Sequence, residues 1–265
     1  MTVRLYHGNI STCSQKVRLA LAEKGVSFDS VVLNLRAGDQ YEPGYRKLNP
    51  GAVVPTLVNG ADVIIESTVI NEYIDESFAG PPLKPASPGE RAAMRCWTKQ
   101  LDESLHGAVV VLSFCIAFRH DFLSKTEAEM AAFYQRMNNP DKERFYREAI
   151  ARGMDHSGFI PAVRRYRKLL QDMESALNGR EWLAGAAFSL ADIALIPYLT
   201  RLEHLGLAGM WADKPNVTAW HTRARQRPGY QTAVTDWLVA PAVSAMNATG
   251  KVAWPQVREI LAGWS

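Results

Sequence analysis

The chain opens on strand-like alternation. Val3 to Tyr6 alternates apolar and polar positions before Gly8 and Asn9 break the pattern. Ser11 to Lys24 then carries Val17, Ala20 and Leu21 on one helical face and stops at Gly25, a residue suited to a helix C-terminus. Phe28 to Leu33, rich in β-branched and aromatic residues, reads as a second strand, so the first third begins as a βαβ unit with a parallel pair. Two short apolar runs, Val53 to Val58 and Val63 to Ile65, flank Asn59-Gly60 and predict an antiparallel hairpin with a tight turn at that pair. Glu66-Ser67 follows, and the spacing of Val69, Ile70, Tyr73 and Ile74 predicts a helix with Ser67 placed to cap it.

The pattern changes after the segment from Phe78 to Glu90, where Pro81, Pro82, Pro85 and Pro88 forbid a continuous helix and suggest a linker. Beyond it the periodicity is helical over Arg91–Phe118, Phe159–Leu177, Ser189–Leu205, a short stretch around Trp220, and Tyr230–Met246. No strand is expected after Glu90. Ser189-Leu190-Ala191-Asp192 has the spacing of a capping box, in which the acid returns a hydrogen bond to the start of the helix. Arg119 to Gly158 is polar, bears Tyr and Arg, and is interrupted by Asn139-Pro140 and Gly153, so it reads as a long connection.

Composition narrows the class without naming a function. With 265 residues, 47% hydrophobic and 22% charged, the chain suits a globular protein of one or two domains. A formal charge of +3, with no long basic run, gives no reason to expect nucleic acid or an anionic membrane as partner. Cys13, Cys96 and Cys115 form neither a CxxC nor a metal-ligand spacing, and an odd count suits a reducing, cytoplasmic setting. The histidines show no paired ligand spacing, so no metal is expected. The first strand begins almost at once, without a charged and apolar leader, and no run approaches the roughly 18 uninterrupted apolar residues of a spanning helix.

The stretch NPGAVVPTL followed by ESTVINEYI resembles the glutathione-binding half of cytosolic glutathione transferases. The resemblance implies an α/β thioredoxin-like N-terminal domain over 1–80, a linker over 81–89 and an all-α domain over 90–265. It also implies a cis Val54-Pro55 bond beside a backbone that pairs with the cysteinyl part of glutathione, with Glu66 and Ser67 holding the γ-glutamyl end. The chemistry suits this. A helix N-terminus offers unpaired N–H groups and partial positive charge to a carboxylate, and Glu66 offers a negative partner to an ammonium. Gln40 falls where theta-like members reach the glycyl end, although the basic residue that often accompanies it is replaced by Val53.

The reaction implied is attack of the glutathione thiolate on an apolar or aromatic electrophile. A thiol of pKa about 8.5 is only ~3% ionised at pH 7, and lowering it by roughly two units makes the thiolate the major species. Ser11 precedes the first helix and matches the activating serine of theta-like classes through S-x-x-S-x-x-V, so it is the expected activating group; capping alone is the competing role. Ser14 is the second candidate for contact with the sulfur. Tyr6 lies in the strand and reads as a core aromatic. Asp102 reads as a solvent-facing helical acid, with reach across a dimer as the alternative.

The electrophile pocket is expected to be lined by His7 and Gly8 and by Val109, Phe114 and Phe118 of the following domain. Arg91 to Glu103 is similar to the β-aryl etherase branch, which makes an aryl ether a candidate substrate. The family implies a homodimer whose contact involves the helix after Ser67 and the helix from Arg91. Two alternatives stand beside this reading: a thiol-disulfide or deglutathionylating enzyme acting through Cys13, and a binding protein that keeps the fold without turnover.

Overall fold

A computed structural model describes residues 3–263. The N-terminal part contains β1 (Val3–His7), α1 (Thr12–Glu23), β2 (Asp29–Val32), α2 (Pro43–Leu48), β3 (Thr56–Asn59), β4 (Asp62–Ile64) and α3 (Ser67–Ser77). The four strands run in the order β2-β1-β3-β4. β1 pairs in parallel with β2 and antiparallel with β3, as the βαβ-then-hairpin pattern requires. This is the thioredoxin-like half.

The sequence placed the hairpin correctly but not its turn. The last ladder pair is Asn59 with Asp62, so the turn is Gly60-Ala61, with Gly60 at φ 63°. Asn59 stays in the strand, where its Nδ2 donates to the Tyr73 hydroxyl at 3.0 Å. That side-chain bond from α3 selects the register, and a turn-propensity rule does not see it.

The second part contains α4 (Pro88–Gln100), α5 (His106–Ser113), α6 (His120–Leu123), α7 (Glu127–Met137), α8 (Pro140–Arg152), α9 (Phe159–Ala176), α10 (Leu190–His204), α11 (Pro215–Gln226), α12 (Pro228–Ala233) and α13 (Ala240–Ala262). Wide, π-type turns at Leu101–Leu105 and Phe114–Phe118 interrupt the run from Pro88 to Phe118. By length and composition that run could cross a membrane. Here it is the spine of the helical domain, packed against α9 and α10.

Two expectations are corrected. Arg119–Gly158 is not an irregular connection but mostly a helical hairpin. Thr126 and Glu129 form a capping box at α7, Asn138 ends it at φ 46°, and Asn139 with Pro140 starts α8. These signals are local, but the polar outer face masked them: the hairpin buries Phe133, Tyr134 and Met137 against Tyr41, Ala52 and Phe122. The continuous helix over Tyr230–Met246 is also replaced, by α12, a bend and α13. The bend brings Trp237 back to β1, with its ring 4.6 Å from that of His7 and 5.0 Å from the Arg18 guanidinium.

The expected cap at Asp192 is present and does more than cap. Oδ2 accepts from the Ser189 backbone N–H at 3.0 Å and hydroxyl at 3.1 Å, while Oδ1 accepts from Leu183 N at 3.0 Å and Trp220 Nε1 at 2.8 Å. One buried carboxylate thus ties α10, the loop before it and α11. In Asp192→Asn one oxygen becomes a donor facing two donors. The variant is expected to lose about 2 kcal/mol and to melt roughly 5 °C lower by calorimetry.

Candidate functional site

Because β1 and β3 are antiparallel and pair Tyr6 with Thr56, the loop leaving β1 and the turn entering β3 emerge at the same edge of the sheet. The Val54-Pro55 bond at that edge is cis. Val54 precedes the first ladder pair, so its backbone lies outside the sheet ladder. Asn49 Nδ2 (2.9 Å) and the Tyr45 hydroxyl both donate to the Val53 carbonyl and pin the turn.

The loop on the other side leads into α1. Ser11 is its N-cap: the Ser11 Oγ accepts from Ser14 N at 3.3 Å, which uses a lone pair and leaves the hydroxyl proton available to donate. Ser14 is corrected as a sulfur contact. It is fully buried, and its Oγ accepts from Gly8 N at 3.2 Å, so it braces the loop from inside.

The loop is also held from below. Buried Arg18 donates to Ala233 O (2.7 Å), Gly8 O (3.2 Å) and Asn9 O (2.8 Å), and contacts His7 Nδ1 at 2.8 Å. Burial brings its guanidinium down to about 9, so it stays charged at neutral pH. Arg201 of α10 donates to Ile10 O and to Ser113 Oγ.

At α3 the helix starts one residue earlier in role than expected. Glu66, not Ser67, occupies the cap position, at φ 66° and ψ 108°, and Ser67 is the first helical residue. A non-glycine residue with positive φ is strained, and such strain concentrates at ligand sites. It leaves the Glu66 side chain exposed and Ser67 buried at the start of the helix. Gln40 is 5% exposed; its Nε2 donates to Leu35 O, while its Oε1 is buried with no hydrogen-bond partner among the described residues.

The expected electrophile wall is only partly present. His7 is fully buried, bonded to Ser30 Oγ at 2.8 Å and to Arg18, and burial with the Arg18 charge pushes it down to about 3. Gly8 is buried in the loop brace, and Val109 belongs to the core. None of the three faces an open cleft, because the periodicity that marks an apolar helix face does not say which side of the sheet it meets. Phe114 and Phe118 are half-buried and join an aromatic cluster with Phe122, Phe145 and Tyr146. Phe118 also lies 4.6 Å from the Arg36 guanidinium and 5.1 Å from that of Arg201. Tyr6, expected as a core aromatic, is only half-buried and belongs to neither hydrophobic cluster, because its place on β1 leaves it at the edge of the sheet packing; its ring lies 5.6 Å from that of Tyr45.

Sequence reasoning missed a polar cluster where α1, α3, α5 and α10 meet. Cys13 Sγ lies 3.6 Å from His106 Nδ1 and 4.0 Å from the Tyr198 hydroxyl, and His106 Nδ1 and that hydroxyl are 3.1 Å apart. Buried Lys16 donates to Thr68 Oγ1 at 3.1 Å, and that hydroxyl donates to Asp102 at 3.2 Å. Asp102 is thus an exposed acid bonded within its own chain. Nothing local pairs these residues; Cys13 and Tyr198 are 185 positions apart.

A cis-proline turn, the N-termini of α1 and α3, and an adjoining all-α domain together define a glutathione-binding transferase scaffold. Models of the glutathione S-transferase N-terminal and C-terminal domains match residues 10–77 and 161–228. The chain belongs to the glutathione S-transferase family, whose co-substrate is glutathione. It is 30% identical to a tetrachloro-p-hydroquinone reductive dehalogenase of Sphingobium chlorophenolicum, over 87% of this chain and 95% of that one. It is 29% identical to the protein LigF of Sphingobium sp. strain SYK-6, over 86% of this chain and 91% of that one. The crystal structure of LigF, described as a β-etherase, matches with a TM-score of 0.80 over 88% of this chain and 98% of that chain. A theta-class transferase from Xanthomonas axonopodis pv. citri, solved with glutathione bound, matches at 26% identity and a TM-score of 0.62, over 88% of this chain and 97% of that one.

Proposed function

We propose that this protein is a glutathione transferase that holds the glutathione thiolate at the N-terminus of α1 and directs it at an apolar or aromatic electrophile, an aryl ether being the favoured class. The observation that carries the reading is the Ser11 hydroxyl at the α1 N-cap, with its proton free, beside the cis-proline turn. The backbone of Val54 receives the cysteinyl part, Glu66 and Ser67 the γ-glutamyl part, and the unpaired Gln40 Oε1 lies ready for a donor near the glycyl part. Bringing a thiol down by roughly two units at this place is worth ~2.7 kcal/mol, within reach of one hydroxyl donor plus a helix N-terminus. The likeness to LigF and the aromatic cluster around Phe114 favour an aromatic leaving group.

The protein works as a homodimer in a reducing, cytoplasmic setting; the exposed Val69 on α3 and Cys96 on α4 support this reading. Sedimentation giving a monomer would contradict the dimer. The activity is tested by glutathione turnover against an aryl ether, a haloaromatic and a mixed disulfide, with binding measured by calorimetry. Turnover of the aryl ether at the highest kcat/KM is expected. Glutathione binding without turnover of any of the three would make the chain a binding protein.

A further inference from the structure

We propose that the electrophile is an aromatic compound carrying an anionic substituent, a ring carboxylate, and that the Arg36 guanidinium receives this group in place of Asp121. The site is the electrophile side of the transferase proposed above, and the assignment rests on that reading.

Two guanidiniums meet one ring beside the Ser11 loop. Phe118, half-buried at the end of the second wide turn, lies 4.6 Å from the Arg36 guanidinium and 5.1 Å from that of Arg201. Arg36 belongs to the segment between β2 and α2, which packs against this loop: a Cβ on Gly8 would lie 3.3 Å from Leu35 Cδ1 and 3.5 Å from Ser11 Cβ. Arg201 reaches the same loop from α10 through Ile10 O, the carbonyl just before Ser11. An electrophile brought to the Ser11 hydroxyl therefore meets aromatic surface and positive charge together.

That charge is only partly balanced. Arg201 is 5% exposed, donates to Ile10 O and Ser113 Oγ, and has no acid paired with it among the described residues; its Nε is buried with no hydrogen-bond partner among them. Burial brings it down to about 10, with Tyr166 opposing and the Arg36 charge assisting, so it stays charged at neutral pH. Arg36 has one acidic partner, Asp121 in the first turn of α6, and both side chains are open to solvent. An ion pair this exposed contributes little, so a carboxylate on a bound substrate can take the place of Asp121.

A neutral donor stands near the same guanidinium. Tyr146 of α8 packs its ring 4.6 Å from that of Phe114, and its hydroxyl has no hydrogen-bond partner among the described residues. Burial keeps this phenol protonated even though the Arg36 charge acts against it, so it has a proton to donate and no acceptor. A ring carboxylate supplies what both groups lack. One edge of the guanidinium fork takes its two oxygens, the Tyr146 hydroxyl donates to one of them, and the substrate ring rests against Phe114 and Phe118.

The test compares conjugation of glutathione by the full chain to 4-chloro-3-nitrobenzoate and to its methyl ester at neutral pH. In both, the thiolate forms a C–S bond at the carbon that loses chloride, and only the carboxylate differs. Each kcat/KM is divided by the uncatalysed rate with glutathione, and the readout is the ratio of carboxylate to ester, which a loss of folded protein does not move. A ratio of about tenfold or more is expected in the parent, narrowing as salt is added. Arg36→Met should bring the ratio down about tenfold, Tyr146→Phe should lower it a few-fold, and Asp121→Asn, which frees Arg36, should raise it roughly two- to fivefold. A ratio near one in the parent, or one unmoved by Arg36→Met, overturns the anion site, while turnover of the ester leaves the transferase reading in place. A ratio that falls in Asp121→Asn also overturns it, because the ion pair would then only join the two halves of the chain. If neither electrophile is turned over, the transferase reading fails. Calorimetry with the two S-aryl glutathione conjugates then decides the anion site: tighter binding of the carboxylate supports it, and equal binding overturns it.

Discussion

Ser11→Ala is expected to shift the pH dependence of kcat/KM for glutathione conjugation upward by up to about two units, with turnover near pH 7 falling by up to roughly 25-fold. The direction follows from linkage. A donor that favours the thiolate holds the thiol pKa down, so removing it makes the nucleophile appear only at higher pH. The size comes from the thiolate fraction, which drops from the majority species to ~3%. Glutathione affinity should stay within a few-fold, because the contacts proposed for the tripeptide, at Val54, Glu66 and Ser67, do not include the Ser11 hydroxyl. The result that would sink this is an unchanged pH profile accompanied by a loss of about 1 kcal/mol in the melt. That pair of outcomes is what loss of the cap to Ser14 N would give by itself.

Arg18→Met should cost about 3–5 kcal/mol and broaden or abolish the cooperative melt. The thioether keeps the stem packing but leaves the carbonyls of Gly8, Asn9 and Ala233, and His7 Nδ1, without their buried donor. The loss should also reach catalysis, since Gly8 and Asn9 shape the loop that presents Ser11. An Arg18→Met variant that melts like the parent and keeps its kcat would remove Arg18 from that role. Arg18→Lys is not expected to rescue fully, because one ammonium cannot reproduce the planar fork that spans four acceptors.

Much of the fold is legible along the chain because its signals are local. The α1 boundary, the α10 capping box and the hairpin are each set by backbone groups that must be satisfied within a few residues, and residue type announces how. The α7–α8 hairpin carried such signals too, in Thr126, Glu129 and Asn139-Pro140, but its apolar face looked weak because its partners, Tyr41, Ala52 and Phe122, lie outside the segment. The Gly60-Ala61 turn and the bend at Trp237 differ from expectation for the same reason: a distant side chain, Tyr73 in one case and the His7 and Arg18 pair in the other, settles a local choice.

The candidate site divides along the same line. Ser11, the cis proline, Glu66 and Ser67 belong to short contiguous motifs, and a motif is a local object. Loop and apolar context points to His7 and Val109 as pocket residues, and packing takes both into the interior. His106 and Tyr198 went unread because their roles exist only once α5 and α10 meet α1. By itself the sequence determined the thioredoxin-like and helical halves and marked the stretch proposed to meet glutathione, since hydrophobic periodicity and caps act over a turn or two of chain. Only the tertiary structure decided which side chains face one sulfur. Contacts between residues 93 and 185 positions apart depend on helix phase, and the wide turn before His106 sets that phase.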